Sequence, residues 1–168
     1  RLCILPVREL QALRRGHWRL GEIAFNEGSY PLEVQSDSLE LVAQIDPGNA
    51  QEVGLSLRRS PDGEEETLVL WQRKEGKLVI DRRRSSRDPA AYRDALMAPL
   101  ALEEGLLELH IWLDRSVLEI FANRFLALTS RIYPTREDSL GLALVARGGS
   151  GRLLALDVWE MASIWPPE

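Results

Sequence analysis

LHIWLDRSVLEIFANRFLALTSRIYP, residues 109–134, is the stretch whose reading decides the fold. With Leu107 it puts apolar side chains at Leu107, Leu109, Ile111 and Leu113. Glu108, His110, Trp112 and Asp114 lie between and beyond them. Strict alternation belongs to a strand with one buried face, because successive side chains point to opposite sides of a sheet. Asp114, Arg115 and Ser116 then make a turn, since Asp and Ser side chains bond their own backbone there. Residues 117–122 return as a second strand, Asn123 and Arg124 form a second tight turn, and residues 125–133 are a third strand. The stretch is a three-strand meander. It also sets Asp114 and Glu119 close together, and paired carboxylates are the equipment of glycosidic bond cleavage.

The same period runs outward in both directions. Leu39, Leu41, Ala43 and Ile45 alternate with polar residues, as do Val53, Leu55 and Leu57, then Leu68 and Leu70. Leu140, Leu142 and Leu144 continue it, and Leu154, Leu156 and Val158 close it. Turn signals separate the runs: DPGN at 46–49, SPDGEE at 60–65, KEGK at 74–77 and RGGSG at 147–151. This rhythm predicts an all-β sandwich or barrel of about ten to twelve antiparallel strands. That is more than an immunoglobulin domain uses, which favours a larger two-sheet jelly roll of concanavalin-like build. One short helix is predicted over 6–15. Pro6 suits its first position, Val7, Leu10 and Leu13 share one face, and Gly16 is its stop. Residues 1–16 then form a linker and 17–168 the sandwich. Residues 82–99 read as a long irregular connection with a helical turn near 90–97.

Composition narrows the function classes. The chain has 168 residues, 45% hydrophobic and 28% charged, which describes a globular domain with a sizeable core. A net charge of -5 argues against a general nucleic-acid binder. Cys3 has no partner, so neither a disulfide framework nor a cysteine metal cluster is expected. Asn26, Asn49 and Asn123 are not in glycosylation sequons. No run approaches the ~18 apolar residues of a membrane span. The first residue is not Met, and RLCILPVREL reads as the middle of something longer, so a targeting segment is expected upstream and the compartment stays open.

The meander resembles the C-terminal β-sandwich module of glycoside hydrolase family 32, the family of invertases, sucrose-6-phosphate hydrolases, levanases and inulinases. That module has a strand ending in Asp-Arg-Ser, a strand with Glu and Phe two apart, a turn, and a Thr-Ser-Arg-hydrophobic-Tyr-Pro segment. Asp114, Arg115, Ser116, Glu119, Phe121, Asn123, Thr129, Ser130, Arg131, Tyr133 and Pro134 match in order. LVIDRRRS at 78–85 is similar to an earlier strand ending in Asp-Arg-x-x-Ser. LPVRELQALR at 5–14 is similar to the segment entering the sandwich, and LLALDVWEMASIW at 153–165 to its last strand. The family usually has Gly after the Asn; here Arg124 goes directly to Phe125. A two-residue hairpin wants Gly there for its positive φ, so Arg124 is expected to be strained.

The resemblance implies that the family's chemistry resides in an N-terminal five-bladed propeller. That propeller carries an Asn-Asp-Pro nucleophile motif, a Glu-Cys acid/base and an Arg-Asp-Pro sugar clamp. This chain has no Asn-Asp-Pro and no Glu-Cys. Its Arg87-Asp88-Pro89 lies in the irregular loop and reads as a surface turn. Asp114 is then a turn former, and Glu119 a half-buried carboxylate paired with an arginine such as Arg115 or Arg131. His17 and His110 have no ligand spacing, so no metal and no cofactor are expected. Arg82, Arg83, Arg84 and Arg87 read as a solvated charge run, Glu64, Glu65 and Glu66 as a solvated hairpin tip, and Gly148, Gly149 and Gly151 as a hairpin loop. Trp112 and His110 are predicted to leave the apolar stripe, and Trp71 to face outward against Leu68 and Leu70. These three are the candidate sugar contacts, because exposed rings pack on sugar C–H groups. Trp159 and Trp165 are expected under the linker helix with Trp18. The expected role is docking on the propeller and shaping homo-oligomer contacts, without hydrolysis by the chain alone. The alternative is a lectin-like module binding fructan or sucrose.

Overall fold

The alternation at 107–113 becomes β9 (Leu107–Asp114), with its odd residues buried and its even ones half-buried or exposed. The strand belongs to a seven-stranded antiparallel sheet with β1 (Arg14–Leu20), β2 (Ile23–Phe25), β4 (Ser38–Asp46), β10 (Val117–Ala122), β11 (Leu126–Arg131) and β13 (Gly151–Met161). Its order is β1-β13-β4-β9-β10-β11, and β2 also pairs with β13. The second sheet has six strands: β3 (Gly28–Gln35), β12 (Gly141–Arg147), β5 (Glu52–Arg59), β6 (Thr67–Gln72), β7 (Lys77–Asp81) and β8 (Leu96–Pro99), in that spatial order. The computed structural model describes residues 2–164.

The two sheets bury one another's inner faces. Leu41, Ile111 and Ile120 lie abreast on neighbouring strands of the larger sheet. Leu144, Leu55, Val69 and Ile80 do the same on the smaller one. All belong to one apolar cluster. Each such side chain contributes about 1.5–3 kcal/mol on leaving water. Thirteen strands among the described residues exceed the expected ten to twelve because β2 and β8 are too short to announce themselves by alternation. The fold class, an all-β two-sheet sandwich, is as expected.

Several local readings are corrected. The helix predicted over 6–15 shrinks to a 3-10 turn, Arg8–Leu13, that buries nothing. Val7, Leu10 and Leu13 find no core to face, and short helices draw their stability from such packing. β1 begins at Arg14, so Gly16 sits inside that strand and stops no helix. Residues 96–99 form the edge strand β8, where a helical turn was expected. The glycines at 148–151 do not close a hairpin. They carry the chain from β12 in one sheet to β13 in the other, with Gly148 and Gly149 at positive φ. Trp165 lies outside the described residues.

Trp71 points inward, not outward. It is 8% exposed, belongs to the main core with Val69, and its indole N–H donates to the Leu100 carbonyl at 3.0 Å. Leu68 and Leu70 instead form a small cluster with Val145 on the opposite face of the sheet. Both faces of β6 are apolar, so the two-residue period could not say which faced the core. Gly54 lies opposite both Leu70 and Val145. A Cβ there would stand 1.9 Å from the Val69 carbonyl oxygen. Gly54→Ala is therefore expected to destabilise by at least about 1–3 kcal/mol, since backbone must shift to admit the methyl; urea unfolding measures it.

Candidate functional site

The outer face of the seven-stranded sheet carries the sequence's polar and aromatic candidates. His110 and Trp112 project there from β9, beside Glu119 and Phe121 of β10. Glu40 of β4 stands between Trp112 and Trp159 on the neighbouring strands. It is 0% exposed although it lies on the outer face. Arg14 accounts for much of that cover, donating from Nε and Nη2 to the two Glu40 oxygens at 2.6 and 2.7 Å. His110 Nε2 donates to Glu40 Oε1 at 2.7 Å. Burial alone would raise the Glu40 carboxyl, but the bonds from Arg14 and His110 outweigh it and hold the group below its ordinary value.

Aromatic stacking locks this network in place. The Arg14 guanidinium lies 3.8 Å over the Trp159 ring. Trp159 stacks on His17 with centroids 4.8 Å apart, and His17 Nε2 reaches Asp157 Oδ1 at 2.8 Å. Trp18, expected to pack with Trp159 under a helix, is partly exposed on β1. A groove of about 530 Å³ runs beside the network, lined in part by Leu5, Val42, His110, Phe121, Asn123 and Asp157. Trp112 is half-buried, and its indole nitrogen is buried with no hydrogen-bond partner among the described residues.

Asp114 and Glu119 do not meet in any of three grooves of the described surface. Asp114 is exposed beside the turn, opposite Ser38 and Val117, and Glu119 lies mid-strand opposite Trp112 and Thr129. Neither lines the groove beside the Glu40 network, nor the grooves at Arg58 and at Arg83. Glu119 does not make the ion pair expected with Arg115 or Arg131. An acid/base pair needs a substrate held between its members, and the groove on this face is lined by neither carboxylate.

The motif residues act as struts. Arg115 sits at φ 52 in the turn after β9; its N–H donates to the Asp37 carbonyl and its carbonyl accepts from Arg58 Nη1 at 2.6 Å. Arg82 is buried, donating to the carbonyls of Asp94 and Arg131, so it ties the irregular loop to the end of β11. Asn123 and Arg124 both adopt positive φ, 45° and 63°, giving a turn of the primed type without glycine. Asn123 compensates with its side chain, which accepts from Glu108 N–H and donates to the Leu106 carbonyl.

Besides Glu40 and Arg82, three further buried charges escaped the sequence reading. Glu65 and Glu66, expected at a solvated tip, are 0% and 4% exposed. Glu66 accepts from Ser56, Arg59 and Arg84, so Arg84 is not part of a free charge run. Glu65 accepts from the Ser139 and Thr135 hydroxyls at 2.6 and 2.7 Å and from the N–H groups of Thr135 and Arg136. Arg58 sits at φ 46 in a β-bulge, where Leu57 and Arg58 together face Leu142. Such a bulge re-aims a side chain, and the two-residue period carries no sign of it. No group of three or more His, Cys, Asp or Glu suited to a metal occurs among the described residues.

Comparison with known proteins fixes the relationship. The family described as "Glycosyl hydrolases family 32 C terminal" matches residues 9–160. A sucrose-6-phosphate hydrolase of Zymomonas mobilis is 28% identical over 155 residues, covering 88% of this chain and 29% of that protein. A levanase of Bacillus subtilis is 31% identical over 168 residues, covering 95% of this chain and 24% of that one. The crystal structure of fructan 1-exohydrolase IIa from Cichorium intybus superposes with a TM-score of 0.85 at 16% identity, over 95% of this chain and 38% of its own. The chain spans less than a third of the length of these two curated relatives. By its match from β1 to β13 and by its two-sheet architecture, the chain belongs to the glycosyl hydrolase family 32 C-terminal family, as that family's β-sandwich module.

Proposed function

We propose that this module docks, through the outer face of its seven-stranded sheet, on the catalytic propeller of the same protein, and stabilises that propeller without taking part in the chemistry. The observation that carries the reading is an apolar trail leading onto that face. Leu5 and Val7 are 60% and 61% exposed, and Val42 is 37% exposed at the middle of the sheet. Leu5 and Val42 line the same groove, and Ile4 N–H is bonded to the Arg124 carbonyl at its rim. Exposed apolar surface of this kind marks a contact with another protein surface. The Arg14–Glu40–His110 network beneath keeps the face rigid. The names of the relatives support a parent enzyme acting on sucrose phosphate or fructans, with catalytic residues supplied by the propeller.

In a longer enzyme carrying this module, Val42→Asp should lower the half-inactivation temperature of hydrolysis by several degrees. The melting temperature of the 168-residue chain alone should move little, since Val42 lies outside the core. The isolated chain should hydrolyse neither sucrose nor levan. Unchanged heat inactivation in the longer enzyme would reject this face as the docking surface.

A further inference from the structure

Glu119 sits on the outer face of the seven-stranded sheet, half-buried between Trp112 of β9 and Thr129 of β11. Its carboxylate makes no hydrogen bond or ion pair among the described residues. We infer that this carboxylate receives a basic side chain, an arginine or lysine, from the propeller surface that docks here. The contact rests on the docking reading above and specifies what the partner presents at one point of the face.

Glu119 lies within the area that such a partner covers. Val42, His110 and Phe121 form one cross-strand row of the face and all line the groove. Glu40, Trp112 and Glu119 form the next row. Glu119 is therefore about 7 Å along β10 from Phe121, at about 3.4 Å per residue. A stable interface covers about 800 Å² on each partner. A surface seated on Val42 and Phe121 thus also covers Glu119.

Covering an ionised carboxylate strips its water, which is costly unless a cation or hydrogen-bond donors take the water's place. Glu40 shows how this sheet meets that demand for itself. It is fully buried on the same face, and Arg14 and His110 both bond it. Nothing equivalent reaches Glu119, because the cations of the face are engaged elsewhere. Arg14 is spent on Glu40, and His17 and Arg19 face Asp157 at 2.8 and 3.9 Å. Arg131 lies diagonal to Glu119 on β11, but its guanidinium turns to Tyr133, 5.8 Å from that ring's centroid. The free module can leave Glu119 to solvent. The docked module cannot, so the compensating charge comes from the partner. Trp112 and Phe121 beside it then exclude water and strengthen the pair.

Heat inactivation of a longer enzyme carrying this module tests the contact by the sign of one effect. Glu119→Leu removes the charge and adds apolar surface between Val117 and Phe121. Against an uncharged partner it should raise the half-inactivation temperature. Against a cation it strands that cation and should lower the temperature by several degrees, which is the expected result. Glu119→Lys should lower it further through like-charge repulsion. Val42→Asp separates the pair from docking itself. If Val42→Asp lowers the temperature while Glu119→Leu leaves it unchanged or raises it, docking stands and the basic contact is overturned. If Val42→Asp has no effect, the face does not dock and the contact falls with it. With both effective, Glu119→Leu should cost much less in the Val42→Asp background than alone, since the two share one interface. Fully additive losses would place Glu119 outside the interface and overturn the contact.

Discussion

Glu65→Ala should lower the unfolding free energy by about 3–5 kcal/mol, a large share of what holds a domain together. The substitution takes this acceptor from the Ser139 and Thr135 hydroxyls and from the main-chain N–H groups of Arg87, Thr135 and Arg136. The loss should also depend on pH. Burial by itself would raise the Glu65 carboxyl, but the bonds from Ser139, Thr135 and Arg136 outweigh it, so the folded group titrates below its ordinary range. In the unfolded chain it returns to about 4.3. Its contribution is thus fully present above that value and is lost as the pH falls through the lower, folded one. Urea unfolding of wild type and Glu65→Gln at falling pH should show the two curves converging in acid. A constant gap down to pH 3, or a loss under about 1 kcal/mol at neutral pH, would mean that the cluster is not a clamp.

The second large effect is expected at Ile111. It is fully buried between Leu41 and Ile120 on the inner face of the seven-stranded sheet. Ile111→Ala should cost about 2–5 kcal/mol through lost burial and the cavity left behind, and Ile111→Val about 0.5–1.5 kcal/mol. The graded pair reports on packing alone. Equal effects from the two variants would show that the strand, and not the side chain, governs stability here.

The outcome at β9 and the outcome at β6 explain what was legible in the sequence. In β9 every second residue is polar, so alternation assigned both the strand and its inward face. In β6 the residues at 67–71 are buried on both sides, and the same rule placed Trp71 on the wrong one. His110 and Trp112 were correctly sent to the outer face. Their anchor Glu40 was not foreseen, because its partners Arg14 and His110 lie 26 and 70 positions away. Glu65 is the same case. A run of three glutamates reads as solvated until the segment at 135–139, 70 or more residues on, folds over it. Alternation is local information; the acceptor–donor match that makes a buried charge stable is not. The Asp-Arg-Ser and Thr-Ser-Arg motifs were legible as a family signature, but their work as struts only shows once Arg58 and Arg82 are seen reaching their carbonyls.

The position of β13 sets the timing of biosynthesis. Residues 151–161 are the last strand among the described residues, yet that strand lies inside the seven-stranded sheet, flanked on one side by β1 and β2 and on the other by β4. A nascent chain on the ribosome therefore cannot close this layer until those residues have left the exit tunnel. Until then β1 and β2 wait unpaired, and β4 shows a bare edge able to capture a neighbouring chain. Translation that stops short of residue 151 should yield aggregation-prone polypeptide and not a smaller sandwich.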